Sequence, residues 1–96
     1  MSPIKKKKLD ILRKELDKID NSLIKIIKKR SNLVNKVLDL KEFKNQIVDK
    51  KRINMILKNI RIKSIKEKID PKITNRIWKN MIWSYIDYER RNFKKK

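Results

Sequence analysis

The sequence predicts an all-α protein of three helices, the first of them long. Three observations lead there. Leucines and isoleucines recur in alternating steps of three and four from Leu9 through Leu12, Leu16, Ile19 and Leu23 to Ile26, and the column resumes at Leu33, Val37 and Leu40. That is the period of a helical seam, held for about four heptads. Glycine is absent from the 96 residues. Turns with a left-handed backbone therefore lack their usual residue, which disfavours sheets joined by tight hairpins. Finally, Asp49 and the pair Asp70 and Pro71 stand where helices begin, an acceptor at the cap and a proline in the first turn.

The first helix is expected from about residue 6 to residue 43, since neither proline nor glycine interrupts it. At 1.5 Å per residue it would be about 55 Å long. The stretch KNQIV, residues 44–48, breaks the period and reads as a loop. Asp49 then caps a second helix with Ile53, Ile56, Leu57 and Ile60 on one face, ending between residues 63 and 68. Asp70 and Pro71 open a third, which carries Ile73, Ile77, Trp78, Met81, Ile82, Tyr85 and Ile86 to about residue 93. The chain reads as one domain over residues 1–96, with short lysine-rich tails at 1–8 and 94–96.

A helix of about 55 Å overshoots a compact chain of this size, whose radius of gyration would be about 13 Å. Two shorter helices cover only part of its apolar stripe. A second copy is the simplest cover, so an intertwined homodimer is expected, with the long helices packed together.

Composition removes several classes of function. There is no histidine and no cysteine, hence no His-based triad, zinc site, disulfide or thiol chemistry. No apolar run is long enough to cross a membrane, and no apolar segment follows the N-terminal lysines. A soluble cytoplasmic protein is expected. The formal charge of +19 leaves three readings: lysine as surface filler, a nucleic-acid partner, or a small acidic substrate.

Arg30 breaks the seam. It occupies the step between Leu23 and Val37 where the period calls for an apolar side chain. A buried cation needs an anion. Asp20 or Glu15 of a partner chain could supply it, Arg30 could fix the register of a dimer, or it could bind a ligand. If the helix continues, Lys41 lies about 20° round from Arg30 and about 16 Å along, on the same side. Arg13 lies about 25 Å away in the other direction. It could reach the same small anion only from a partner helix running antiparallel. Arg52 opens the second helix near the end of the first.

The spacing of these residues carries a resemblance. Arg13 and Arg30 are separated by sixteen residues, Arg30 and Lys41 by ten, Lys41 and Asp49 by seven, and Asp49 and Arg52 by two. With the segments LDILRKELDKID, IIKKRSNLVNKVLDLK, VDKKR and IDPKITNRIWKNMI, this pattern resembles the all-helical chorismate mutases over residues 9–93. The resemblance implies an intertwined helical dimer with two sites, each taking an arginine from the partner. It implies chorismate as substrate, a dicarboxylate enol ether that rearranges to prephenate in one pericyclic step of aromatic amino acid biosynthesis. No nucleophile, metal or cofactor takes part. By matched position, Arg30 and the partner's Arg13 would grip the carboxylates. Lys41 would donate to the ether oxygen, Arg52 would add positive field, and the Asp49 backbone would meet the ring hydroxyl.

Three positions depart from the family pattern. Ile53 stands where a glutamate usually follows the helix-two arginine. Glu89 stands at a glutamine that donates to the ether oxygen. A glutamate donates only when protonated, so this implies either a carboxyl that keeps its proton at higher pH than usual or activity favoured by acid. Tyr85 stands at a serine, with Ser84 one place away. RINMIL and MIWSYIDYERRNF are also similar to isochorismate-pyruvate lyases, which have the same fold and an apolar residue after the helix-two arginine. That activity is the alternative reading. A basic dimer binding nucleic acid is a further one, and is disfavoured. The cations are spread over all three helices, and the aromatics Trp78, Trp83, Tyr85, Tyr88 and Phe93 fall largely on or beside an apolar face.

Overall fold

The computed structural model describes residues 1 to 94. Its elements are α1 (Pro3–Leu40), a short 3-10 turn (Lys44–Gln46), α2 (Lys50–Lys66) and α3 (Pro71–Asn92). Among the described residues there is no strand, and no helix is long and apolar enough to cross a membrane. Lys95 and Lys96, the end of the expected C-terminal tail, lie outside the described residues.

The chain divides into two compact units, Met1–Val34 and a second beginning at Asn35. The first is wholly helical from Pro3. Its start is fixed by Ser2, whose hydroxyl accepts from the Lys5 N–H at 3.2 Å and whose carbonyl accepts from the Lys6 N–H at 2.9 Å. Pro3 sits in the first turn, where no N–H is needed. The run Lys5 to Lys8 is thereby drawn into the helix instead of forming a loose tail. This unit buries none of its side chains within the single chain. Leu12, Leu16, Ile19, Leu23 and Ile26 are each about half exposed or more. An apolar stripe of that length left in water forgoes about 25 cal/mol per Å² of possible burial.

The second unit holds the core: Leu38, Ile47, Ile82 and Ile86, with Val48, Ile53, Ile56, Leu57 and Phe93 packed around them. Leu38 comes from the last turns of α1 and the two isoleucines of α3 from one face, four residues apart. Ile47, only 4% exposed, comes from the connection between α1 and α2. That connection was expected to be an open loop. It is tied down instead: the Gln46 side-chain oxygen accepts from the Glu42 and Phe43 N–H groups at 2.8 and 2.9 Å, which turns the chain and sets Ile47 inward.

Both expected caps are present. The Asp49 carboxylate accepts from the Arg52 N–H at 3.0 Å, and the Asp70 carboxylate accepts from the Lys72 N–H at 2.9 Å. Between α2 and α3 the chain must reverse without glycine. Lys68 adopts a left-handed backbone, φ 59°. Its N–H donates to the Ile65 carbonyl and that of Ile69 to the Ser64 carbonyl, at 3.1 and 2.9 Å. This is a Schellman closure built on a lysine where glycine is preferred. Just beyond it, the buried Ser64 and Thr74 hydroxyls meet at 2.7 Å and pin α2 to α3. The Ser64 hydroxyl is also 2.6 Å from the Ile60 carbonyl.

Two expectations are amended. Helix α1 ends at Leu40, not near residue 43, so Lys41 follows the helix and is not part of it. On α3, Trp83, Ile73 and Ile77 are each about half exposed, while Thr74, Ile82, Ile86 and Glu89 form the buried face.

Candidate active site

Glu89 occupies a position that the helical period reserves for an apolar side chain. It follows Ile82 and Ile86 by seven and three residues along the buried face of α3, and its carboxylate is 7% exposed. An anion so placed requires a cation. Lys41 supplies it. The ammonium donates to both Glu89 oxygens, at 3.1 and 3.3 Å, and the lysine side chain is itself only 18% exposed. Lys41 is aimed by the way α1 ends. Its own N–H donates to the Leu38 carbonyl at 3.1 Å, a final tight turn directly below the core residue Leu38. Of the residues singled out in the sequence, these two form a side-chain ion pair across 48 residues of chain. Both Glu89 oxygens draw on the one ammonium, so a further acceptor would have to share Lys41 with Glu89.

Asp49 and Arg52 stand at the start of α2. The Asp49 carboxylate is engaged by the Arg52 N–H and its carbonyl by the Ile53 N–H, at 3.0 and 2.9 Å. Its side chain is thus used for capping, and any ligand contact falls to the backbone. The Arg52 side chain is exposed. Its guanidinium lies 4.0 Å from the Met55 sulfur and pairs with no carboxylate among the described residues. Ile53, at the departure next to it, packs against the core, so an apolar side chain there is structural. Tyr85 is half-buried on α3, four residues before Glu89 and therefore on the same side of the helix. The neighbouring Ser84 hydroxyl is spent on the Asn80 carbonyl at 2.7 Å.

Arg13 and Arg30 belong to the first unit. Arg13 is exposed and pairs with no carboxylate among the described residues. Arg30 is half-buried.

Sequence reasoning missed the hydrogen bond from the Tyr88 hydroxyl to the Asn35 side-chain oxygen, 2.8 Å, which braces α3 one residue before Glu89. A half-buried tyrosine is a hint that its hydroxyl has a partner, but nothing local points to Asn35. It also missed the direct pairing of Lys41 with Glu89. The signal available was the place of Glu89 on the apolar face of α3, three residues after Ile86.

A sequence model of type II chorismate mutases matches residues 12–90. The chain belongs to that family. The matched span takes in Arg13, Arg30, Lys41, Asp49, Arg52, Tyr85 and Glu89. An activity of the chorismate mutase type and an all-helical fold follow from membership. Comparison with curated proteins and with solved structures gives no match. For a type II chorismate mutase, the polar residues on apolar stripes are the informative ones. The lysine just after α1 and the acid on α3 form a charged pair at the edge of the core.

Proposed function

We propose that the protein converts chorismate to prephenate, as an intertwined homodimer whose sites take Arg13 from one chain and Arg30, Lys41 and Arg52 from the other. The observation that carries this reading is the family match, which spans every cation in the set. The apolar stripe of the first unit supports the dimer, since Leu12, Leu16, Ile19 and Leu23 are each about half exposed.

The chemistry asks little of the side chains. One C–O bond breaks as one C–C bond forms, and no proton moves. The protein must hold the substrate folded and stabilise negative charge on the ether oxygen. Arg30 and the partner's Arg13 suit the two carboxylates, because a guanidinium binds a carboxylate through two parallel N–H bonds. Lys41 is the donor for the ether oxygen. Glu89 competes for that ammonium while ionised.

Isochorismate-pyruvate lyase activity is the second reading, favoured by Ile53, which packs against the core where a carboxylate would otherwise reach the site. One experiment separates the two. Purified protein is incubated with chorismate and with isochorismate, at mildly acidic and neutral pH, and products are identified by mass. Prephenate establishes the mutase. Pyruvate from isochorismate, with chorismate untouched, replaces it with the lyase. Retention of DNA at moderate salt, with both substrates left intact, would instead favour the nucleic-acid reading.

A further inference from the structure

A second cationic site lies on the second unit, formed by residues other than the Lys41–Glu89 pair. Helices α2 and α3 part to leave a cleft of about 400 Å³, lined by Leu57, Lys58 and Arg61 of α2 and by Pro71, Lys72 and Asn75 of α3. The volume is within the range of small-molecule sites. Its placement follows from the helical period. Lys58 and Arg61 are three residues apart on α2, and Lys72 and Asn75 three apart on the first turns of α3, so each pair shares a face. The Ser64 and Thr74 contact and the turn at Lys68 hold the two helices together next to it.

The charge in this cleft is unbalanced. Three of its six lining residues are cations and none is an acid. None of the three ion-pairs with any carboxylate among the described residues, and the Asn75 side chain has no hydrogen-bond partner among them either. The acid nearest in sequence, Asp70, is occupied in capping α3 through the Lys72 N–H. Like charges gathered round one concavity repel each other, and an anion seated there relieves the repulsion. The floor is apolar: Leu57 and Pro71 are both half-buried.

We propose that this cleft binds an organic phosphate, a phosphate monoester with an apolar body. Cations on two helices approach the bound group from different sides, which suits the three free oxygens and nearly double charge of a monoester better than the two oxygens of a carboxylate. Arg61 brings a planar fork, Lys58 and Lys72 bring point charges, and Asn75 brings an amide donor. The apolar part of the ligand rests on Leu57 and Pro71. The site shares no residue with the chorismate mutase positions.

The test uses phenyl phosphate and inorganic phosphate as probes, titrated into the full chain at physiological salt. Binding is followed by calorimetry and by the NMR shifts of the Arg61 side chain and Asn75 amide. Phenyl phosphate is expected to bind at least several-fold more tightly than inorganic phosphate, with shifts centred on those two residues. Lys58→Gln and Arg61→Gln should each weaken it about tenfold, the loss of one charge-assisted contact. Lys79→Gln removes a cation of α3 outside the cleft and should leave the affinity unchanged. If Lys79→Gln weakens binding as much as Arg61→Gln, the protein attracts phosphate only through its overall charge and the site does not exist. Equal affinity for the two probes would also overturn the proposal, as would shifts centred on Lys41 and Glu89. None of these readouts depends on mutase activity.

Discussion

Replacing Glu89 by glutamine should raise the rate at neutral pH. In the resting chain Lys41 is held by both Glu89 oxygens, the nearer at 3.1 Å. At an effective dielectric of about 20 the bare attraction over that distance is about 5 kcal/mol. Solvation of the free charges offsets most of it, and charge-assisted hydrogen bonds retain about 1.5–3 kcal/mol net. A substrate ether oxygen must compete with that bond for the ammonium, and the ionised Glu89 also repels an approaching dianion. Glutamine removes the charge, frees Lys41 and adds an N–H donor. Transferred to the barrier, about 1.5–3 kcal/mol corresponds to an increase of about ten- to a hundredfold in kcat/KM at neutral pH. The assay is the disappearance of chorismate, followed for both proteins across pH. Thermal unfolding provides the control, since loss of the ion pair should cost about 1–2 kcal/mol of stability while the rate rises. An unchanged or lower neutral rate in a folded Glu89→Gln protein would refute the reasoning.

Other substitutions probe the scaffold and the charge. Lys68→Gly should stabilise the protein by about 0.5–1 kcal/mol, because glycine adopts the left-handed backbone at φ 59° without a Cβ clash; a raised Tm checks it. Ser64→Ala should lower stability by about 1 kcal/mol in denaturant unfolding, since it removes the buried 2.7 Å contact between α2 and α3 and leaves the Thr74 hydroxyl only its longer bond to the Pro71 carbonyl at 3.3 Å. The surplus of positive charge, +19 formally, should draw in a dianionic substrate. In that case kcat/KM falls several-fold from low to physiological salt, while a salt-independent value would leave the charge without a steering role.

The helices were legible because their apolar positions repeat. Leu9 to Leu40 spell out α1, and the caps Asp49 and Asp70 mark the starts of α2 and α3 within a residue. The beginning of α1 was equally readable in Ser2 and Pro3, yet the lysine run after them looked like a tail. Features made by single side chains at a distance were not readable. Ile47 is among the most buried residues of the chain but sits in a five-residue stretch with no period, and only the Gln46 contacts turn it inward. The end of α1 moved back to Leu40 for the same reason, because that turn competes with continued helix for Glu42 and Phe43. At the candidate site Arg30 was visible as a charge in an apolar seam, and the other residues through their spacing and the family pattern. The pairing of Lys41 with Glu89 was not, since they are 48 residues apart in sequence.

Mixing two inactive variants tests the central claim most directly. Arg13→Ala and Arg30→Ala should each abolish prephenate formation while leaving a helical dimer by sedimentation. If each site takes Arg13 from one chain and Arg30 from the other, a mixed dimer of the two variants regains one intact site. Unfolding and refolding an equimolar mixture makes about half the dimers mixed, so about a quarter of the parent turnover should return. No recovery, with mixed dimers demonstrably present, would contradict a site shared between two chains.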